Sequence, residues 1–61
     1  MPEVIVELAE GRTLDQKREI VKGITDTIER VCGVDREAVV VIIHETPRQH
    51  KARGGKLFID R

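Results

Sequence analysis

The feature that most constrains this chain is an uninterrupted apolar run, Ala38-Val39-Val40-Val41-Ile42-Ile43. β-Branched side chains favour strands, and an apolar run without alternation is typical of a strand covered on both faces, most often in parallel pairing. The chain has only 61 residues with which to build that cover. The run therefore requires a second strand beside it, a helix over one face and some further surface over the other.

The segment at the start of the chain supplies the second strand. Residues 3–9 alternate, with Val4, Val6 and Leu8 on one side and mostly acidic residues on the other. This alternation predicts a strand with one well-covered face and one partly apolar face. The polar sequence Glu10-Gly11-Arg12 ends the strand.

A helix follows the first strand. Thr13 and, three residues later, Gln16 fit a capping box, in which each side chain satisfies a free backbone donor at the start of a helix. Gly33 lies where a left-handed residue commonly ends a helix. Between them, apolar residues recur at three- and four-residue spacing and form one stripe, made of Leu14, Ile20, Val21, Ile24, Ile28 and Val31.

Strand, helix and strand in this order predict a right-handed βαβ crossover with parallel strands. The expected fold is α+β, with two layers in one domain over residues 1–61. One helix covers only one face of a two-stranded sheet, and a chain of this size buries only about 60% of its unfolded surface. A single cysteine, Cys32, excludes an intrachain disulfide. We therefore expect the chain to form a homo-oligomer.

The remaining segments are short. Residues 34–37 are predicted to connect the helix to the second strand, and residues 44–47 to end that strand. Residues 48–53 form a polar loop, and Gly54-Gly55 a turn. The apolar segment at residues 57–59 is too short to be stable alone, so it is expected to pair with a neighbouring chain.

Composition argues against several classes of function. Eleven basic and eleven acidic residues give zero formal charge, which disfavours nucleic-acid and anionic-membrane partners. No apolar run approaches the roughly 20 residues of a membrane span, and the N-terminus lacks the pattern of a signal peptide. The expectation is a cytoplasmic protein with a reduced thiol, no membrane partner and no nucleic-acid partner.

A metal site is not predicted. His44, Glu45 and His50 do not have the H-E-x-x-H spacing, and neighbouring side chains of a strand point to opposite faces. Cys32 is not expected to converge with them and is predicted to be a small buried hydrophobe. His44 and Glu45 are instead expected to form hydrogen bonds or ion pairs at a subunit interface.

Taken together, these residues resemble the 4-oxalocrotonate tautomerase family, whose subunits are very short. The resemblance covers nearly the whole chain, and the joint pattern carries it rather than any one motif. The matching residues are Pro2, Glu10-Gly11-Arg12-Thr13, Gln16-Lys17, Val41-Ile42-Ile43-x-Glu45 and Gly54-Gly55. The resemblance implies a βαβ unit with a short C-terminal hairpin, assembly as a hexamer built as a trimer of dimers, and an isomerase that needs no cofactor.

The resemblance also implies roles for two residues. Removal of Met1 would expose Pro2 as a secondary amine, and an α-amino group has an ordinary pKa of about 7.7–8.0, so a moderate depression leaves it a neutral general base. Arg12 would bind a carboxylate or carbonyl oxygen of the substrate. The alternatives are that Pro2 is merely tolerated at a strand start and that Arg12 is a solvated loop residue.

The sequence departs from the family pattern at two positions. Val40 stands where well-studied members have a second substrate-binding arginine, and Lys51 stands where they have an aromatic residue beside the proline. Lys51 or Arg53 is therefore expected to bind the substrate anion, and a close ammonium would also lower the pKa of the Pro2 amine. The alternative is that both are ordinary solvated cations.

The functional hypothesis is a tautomerase that interconverts the enol and keto forms, or the unconjugated and conjugated forms, of a 2-oxo acid. Two alternatives stay open. One is a small oligomer that binds nucleic acid or another anion, which the basic stretch Arg-Gln-His-Lys-Ala-Arg at residues 48–53 supports, although it lacks aromatic residues for base stacking. The other is a catalytically silent member of the family.

Overall fold

The computed structural model describes residues 1–61 and confirms the predicted α+β fold. β1 and β2 form a parallel two-stranded sheet, α1 connects them, and β3 and β4 form a separate antiparallel hairpin. The elements are β1 (Glu3–Ala9), α1 (Leu14–Cys32), β2 (Val40–Thr46), β3 (Ala52–Arg53) and β4 (Lys56–Leu57). Single 3-10 turns lie at Arg36–Ala38, Arg48–His50 and Phe58–Asp60.

The pairing of β1 with β2 runs without a bulge along both strands. Glu3 lies opposite Val40 at one end, and Ala9 lies opposite Thr46 at the other. β2 begins two residues later than the apolar run predicts, because Arg36–Ala38 form a 3-10 turn. It also continues through residues 44–46, which were predicted to end it. Those polar residues stay in the strand because their backbone groups pair with the last three residues of β1.

The predicted limits of α1 are confirmed by its capping contacts. The Thr13 hydroxyl accepts a hydrogen bond from the Gln16 N–H at 3.1 Å, and the Gln16 side chain accepts one from the Thr13 N–H at 2.9 Å. Gly33 adopts a φ of 65°, and its N–H donates to the Glu29 carbonyl at 3.0 Å. No helix is long and apolar enough to cross a membrane.

The isolated chain has no buried core. Val4, Val6 and Leu8 are half-buried, and no residue is fully buried. Ile5, on the other side of β1, is 56% exposed, and both ends of the helical stripe, Leu14 and Val31, are more exposed still. The radius of gyration is 14.6 Å, against about 10.5 Å for a compact domain of this length. The helix therefore covers one face of the sheet and leaves the other uncovered within the chain.

The C-terminal hairpin forms within the chain, where Leu57 pairs with Ala52. Pairing of residues 57–59 with a neighbouring chain stays a prediction. The hairpin closes through the turn between its strands, where Gly54 and Gly55 have φ values of 58° and 78°. Two successive positive φ angles suit a tight hairpin turn, and glycine adopts them without steric cost. The N–H of Phe58 donates to the Lys51 carbonyl at 2.7 Å and extends the hairpin.

A network of ion pairs holds the connector after α1 against the helix. Arg36 contacts Asp26 at 3.1 Å and Glu29 at 2.9 Å, and Lys22 contacts Asp26 at 3.0 Å. Hydrogen bonds from Lys22 and then Arg36 lower the pKa of the Asp26 carboxyl below its ordinary value of 3.8. Hydrogen bonding to Asp26 likewise raises the pKa of Arg36. The network therefore favours the ionised form of Asp26 in the folded chain.

The capping box gives a first prediction. Thr13→Ala removes the acceptor for the Gln16 N–H and should lower the free energy of unfolding by about 1 kcal/mol. Thr13→Ser keeps the hydroxyl and should change it by only a few tenths of a kcal/mol. Urea unfolding at one fixed protein concentration measures both. Equal losses for the two variants would contradict a capping role.

The ion-pair network gives a second prediction. The pKa of Asp26 is lower in the folded chain than in the unfolded chain, so its contribution to stability is present above pH 3.8 and is lost as pH falls through the folded-state value. Asp26→Asn should therefore lower the melting temperature near neutral pH, and the difference from wild type should shrink below pH 3.8. Asp35→Asn is the control for the loss of one negative charge, because Asp35 makes no ion pair. A difference for Asp26→Asn that stays constant with pH would contradict the argument.

Candidate active site

The parallel sheet separates the predicted site residues into two groups. Pro2 precedes β1, whereas Arg12 follows it. The seven residues of β1 span about 23 Å at roughly 3.3 Å per residue. We name the edge of the sheet that carries Pro2 and Val40 the Pro2 end, and the opposite edge, which carries Arg12, the Arg12 end. A single chain therefore does not bring Pro2 and Arg12 together.

The Pro2 end joins the start of β1 to the start of β2. Pro2 is half-buried, and its carbonyl accepts a hydrogen bond from the Val40 N–H at 3.0 Å. That bond fixes the start of β1 to the start of β2. Val40, which stands where the family has its second arginine, therefore lies beside Pro2 and brings no charge to it. Met1 is 91% exposed and is joined to Pro2 in the chain described, so the Pro2 nitrogen is an amide there.

The Arg12 end contains a groove of about 390 Å³. The Glu10 N–H donates to the Thr46 carbonyl at 3.0 Å, so β1 and β2 end side by side at this edge of the sheet. Arg12 is exposed and makes no ion pair. The residues that line the groove are Leu8, Ala9, Glu10, Gly11, Arg12, Arg48 and Phe58.

Sequence reasoning missed two residues of this groove, Arg48 and Phe58. Arg48 comes two residues after the end of β2, just as Arg12 comes three residues after the end of β1. The carboxyl ends of parallel strands meet at the same edge of a sheet, so this spacing was a usable signal for Arg48. Phe58 reaches the groove through the hairpin, and nothing in the sequence alone indicated that.

Lys51 and Arg53, the other two predicted anion-binding residues, lie around Phe58 rather than in the groove. The Lys51 Nζ is 5.4 Å from the centroid of the Phe58 ring, and the Arg53 Cζ is 5.7 Å from it. Arg61 approaches the same ring at 5.9 Å. These distances are within the range of cation–π contacts. The predicted cations therefore gather at the Arg12 end, away from Pro2 of the same chain.

Charge is divided unevenly along the chain. Residues 47–61 carry five lysine and arginine residues and one acidic residue, Asp60. Residues 1–46 carry six basic and ten acidic residues. The neutral total therefore conceals a basic segment, and that segment surrounds Phe58 at the Arg12 end.

The polar residues near the end of β2 make contacts within one chain. His44 Nδ1 lies 3.0 Å from Glu7 Oε1 on one face of the sheet, and Glu45 forms an ion pair with Lys17 of α1 on the other. His44 and Glu45 therefore form the hydrogen bond and ion pair that were predicted for them, with partners in β1 and α1 of the same chain. Their place at a subunit interface stays a prediction. No group of three or more histidine, cysteine, aspartate or glutamate side chains is placed to hold a metal ion.

Within the single chain Cys32 is exposed rather than buried as predicted. It lies in the last turn of α1, and the neighbouring Val31 is 67% exposed.

Comparison with known proteins assigns the chain to a protein family. The family model for the tautomerase enzymes matches residues 2–61. A protein from Bradyrhizobium diazoefficiens named "Probable tautomerase" is 48% identical over 61 residues, which cover 100% of this chain and 91% of that protein. The 2-hydroxymuconate tautomerase of Bacillus subtilis is 40% identical over 60 residues, or 98% and 97% of the two chains. The chain therefore belongs to the tautomerase family.

Solved structures agree with this assignment. A 4-oxalocrotonate tautomerase homologue superposes with a TM-score of 0.95 at 41% identity, covering 100% of this chain and 97% of that one. A heterohexameric 4-oxalocrotonate tautomerase from Chloroflexus aurantiacus superposes with a TM-score of 0.90 at 27% identity, covering 98% and 97%. The predicted βαβ unit with a C-terminal hairpin is thus confirmed as the tautomerase fold. Membership of the family supports a tautomerase-type activity.

Proposed function

We propose that this protein is a cofactor-independent tautomerase that interconverts the enol and keto forms, or the unconjugated and conjugated forms, of a 2-oxo acid. One observation carries the proposal: the tautomerase family model matches residues 2–61, a range that includes Pro2 and Arg12 at the two ends of β1. A relative that is 40% identical is named 2-hydroxymuconate tautomerase. The substrate class follows from that relative and from the cations at the Arg12 end.

In the proposed mechanism, Pro2 moves one proton. Removal of Met1 leaves Pro2 with a secondary amine at the N-terminus, and α-amino groups have an ordinary pKa of about 7.7–8.0. Val40 and the apolar start of β2 solvate an ammonium poorly, which favours the neutral base. The amine accepts the enolic proton and returns it to carbon, so the substrate is isomerised without oxidation or reduction. Arg12 binds the carboxylate or carbonyl oxygen and stabilises the enolate charge as it develops.

We further propose that the functional unit is a homo-oligomer, assembled as a hexamer of three dimers. The Pro2 and Arg12 ends of one chain lie about 23 Å apart along β1, so one substrate requires Pro2 from one subunit and Arg12 from another. The uncovered face of the sheet, with Ile5 56% exposed, supplies apolar surface for such contacts. A solved relative with a TM-score of 0.90 is a heterohexamer.

An anion-binding oligomer without catalysis is the second candidate, and the basic segment of residues 47–61 favours it. Its ligand would be a small anion rather than nucleic acid. Phe58 is the only aromatic residue of the chain, and three cations already surround its ring. One ring that already contacts cations offers little surface on which bases could stack.

The role of the amine gives a third prediction. Protein purified without an N-terminal tag should have the mass of the chain without Met1 and should convert 2-hydroxymuconate or phenylenolpyruvate, followed by ultraviolet absorbance. Pro2→Ala should lower kcat/KM by about 100-fold, toward the lower end of what a positioned general base contributes. Undiminished activity in that variant would disprove the amine as the base. A correct mass without turnover of either enol would favour the silent or anion-binding alternative.

The division of the site between subunits gives a fourth prediction. Pro2→Ala and Arg12→Ala proteins should each have low activity alone. Unfolding them together and refolding them as an equal mixture should restore about a quarter of wild-type activity. Random assembly places an intact Pro2 beside an intact Arg12 at that fraction of sites. Each variant refolded separately and then mixed is the control. A refolded mixture with only the average activity of the two variants would show that both residues act within one chain.

A further inference from the structure

We propose that Arg48 is a second substrate-binding arginine, and that it and Arg12 bind the two carboxylates of a dicarboxylate substrate. This inference deepens the proposed tautomerase function and depends on it for the reaction. Val40, at the Pro2 end, provides no charge where the family has its second arginine. The inference is that Arg48, at the Arg12 end, provides that charge instead. Arg48 thereby becomes the residue that selects dianionic over monoanionic substrates.

The placement of Arg48 follows from the register of the sheet. Ala9 of β1 lies opposite Thr46 of β2, and the next N–H, that of Glu10, still bonds to the Thr46 carbonyl at 3.0 Å. Beyond this bond the two chain segments separate and enclose the groove of about 390 Å³. Arg12 reaches the groove from the segment after β1, and Arg48 reaches it from the segment after β2.

The two guanidinium groups lack partners in the chain. Lys17, Arg18, Lys22 and Arg36 all form ion pairs with carboxylates, whereas neither Arg12 nor Arg48 does. Glu10 is the one acidic residue that lines the groove, so the lining residues alone carry an excess of one positive charge. Lys51, Arg53 and Arg61 add to that excess around the adjacent Phe58 ring. Two cations in one groove repel each other, and bound carboxylates relieve that repulsion.

The remaining lining of the groove suits the carbon chain of such a substrate. Leu8, Ala9 and Phe58 supply apolar surface in the same groove as the two arginines. A conjugated dicarboxylate has the matching pattern, because its apolar carbon skeleton separates two charged ends. A second groove also reaches Arg12 but is lined by Glu19 rather than by another cation. The groove with Arg48 is therefore the one that favours a dianion.

Equilibrium binding tests the inference without relying on turnover. The probes are trans,trans-muconate and sorbate, two six-carbon dienoic acids that have two carboxylates and one, respectively. Isothermal titration of the Met1-free wild type should show tighter binding of muconate. Arg48→Gln should weaken muconate binding about 10- to 100-fold, the value of one charge-assisted hydrogen-bonded contact, and should change sorbate binding by less than about threefold. Lys56→Gln, which removes an exposed cation of the hairpin outside the groove, should change neither.

The outcomes separate this inference from the proposed function. Unchanged muconate binding in Arg48→Gln, equal weakening of both probes, or a wild type that binds neither probe would each overturn the role of Arg48. A wild type that binds muconate through Arg48 but converts no enol would contradict the proposed reaction while supporting the binding site. With an active wild type, kcat/KM for 2-hydroxymuconate should fall in Arg48→Gln about 10- to 100-fold more than kcat/KM for phenylenolpyruvate, and Arg48→Lys should restore part of the loss.

Discussion

The in-register parallel pairing of β1 with β2 determines where every functional residue of this chain lies. Parallel strands place both amino ends at one edge of the sheet and both carboxyl ends at the other. Pro2 and Val40 therefore share one edge, and Arg12 shares the opposite edge with Arg48. A slip of one residue in the register would turn the side chains of one strand to the other face and break this correspondence. The pairing thus places the candidate site residues in two groups at opposite edges of the sheet.

The same pairing explains why we expect the chain to depend on partners for its stability. A two-stranded sheet with one helix buries one face, and no residue of the single chain is fully buried. Ile5 remains 56% exposed on the outer face of β1. Apolar burial contributes about 25 cal/mol per Å², so the chain gains little of it until a second copy covers that face. We therefore expect folding and assembly to be coupled, and under the proposed function the same assembly brings one subunit's Pro2 end to another's Arg12 end.

Local signals in the sequence were sufficient for much of the fold. α1 begins after Thr13 and ends before Gly33, as predicted, because a helix cap depends only on residues within one turn. The limits of β2 were missed, because His44 stays in the strand through pairing with β1 and the strand propensity of neighbouring residues does not reveal that pairing. The family pattern identified Pro2 and Arg12 as candidates, but Arg48 and Phe58 reach the groove only through the register and the hairpin, which are tertiary features. Sequence reasoning could predict the elements better than the groove they form.

The two edges of the sheet also differ in their electrostatic character. A general base near neutral pH needs a neutral amine, which apolar surroundings and nearby cations both favour, and recognition of a carboxylate needs uncompensated positive charge. Within one chain, Val40 lies beside Pro2, and the cations around Phe58 lie at the far edge of the sheet. Each subunit can therefore fold with its cations far from its own amine. Assembly that brings the two ends together would place those cations near the amine of another subunit, where their charge would favour the neutral base before an anionic substrate binds.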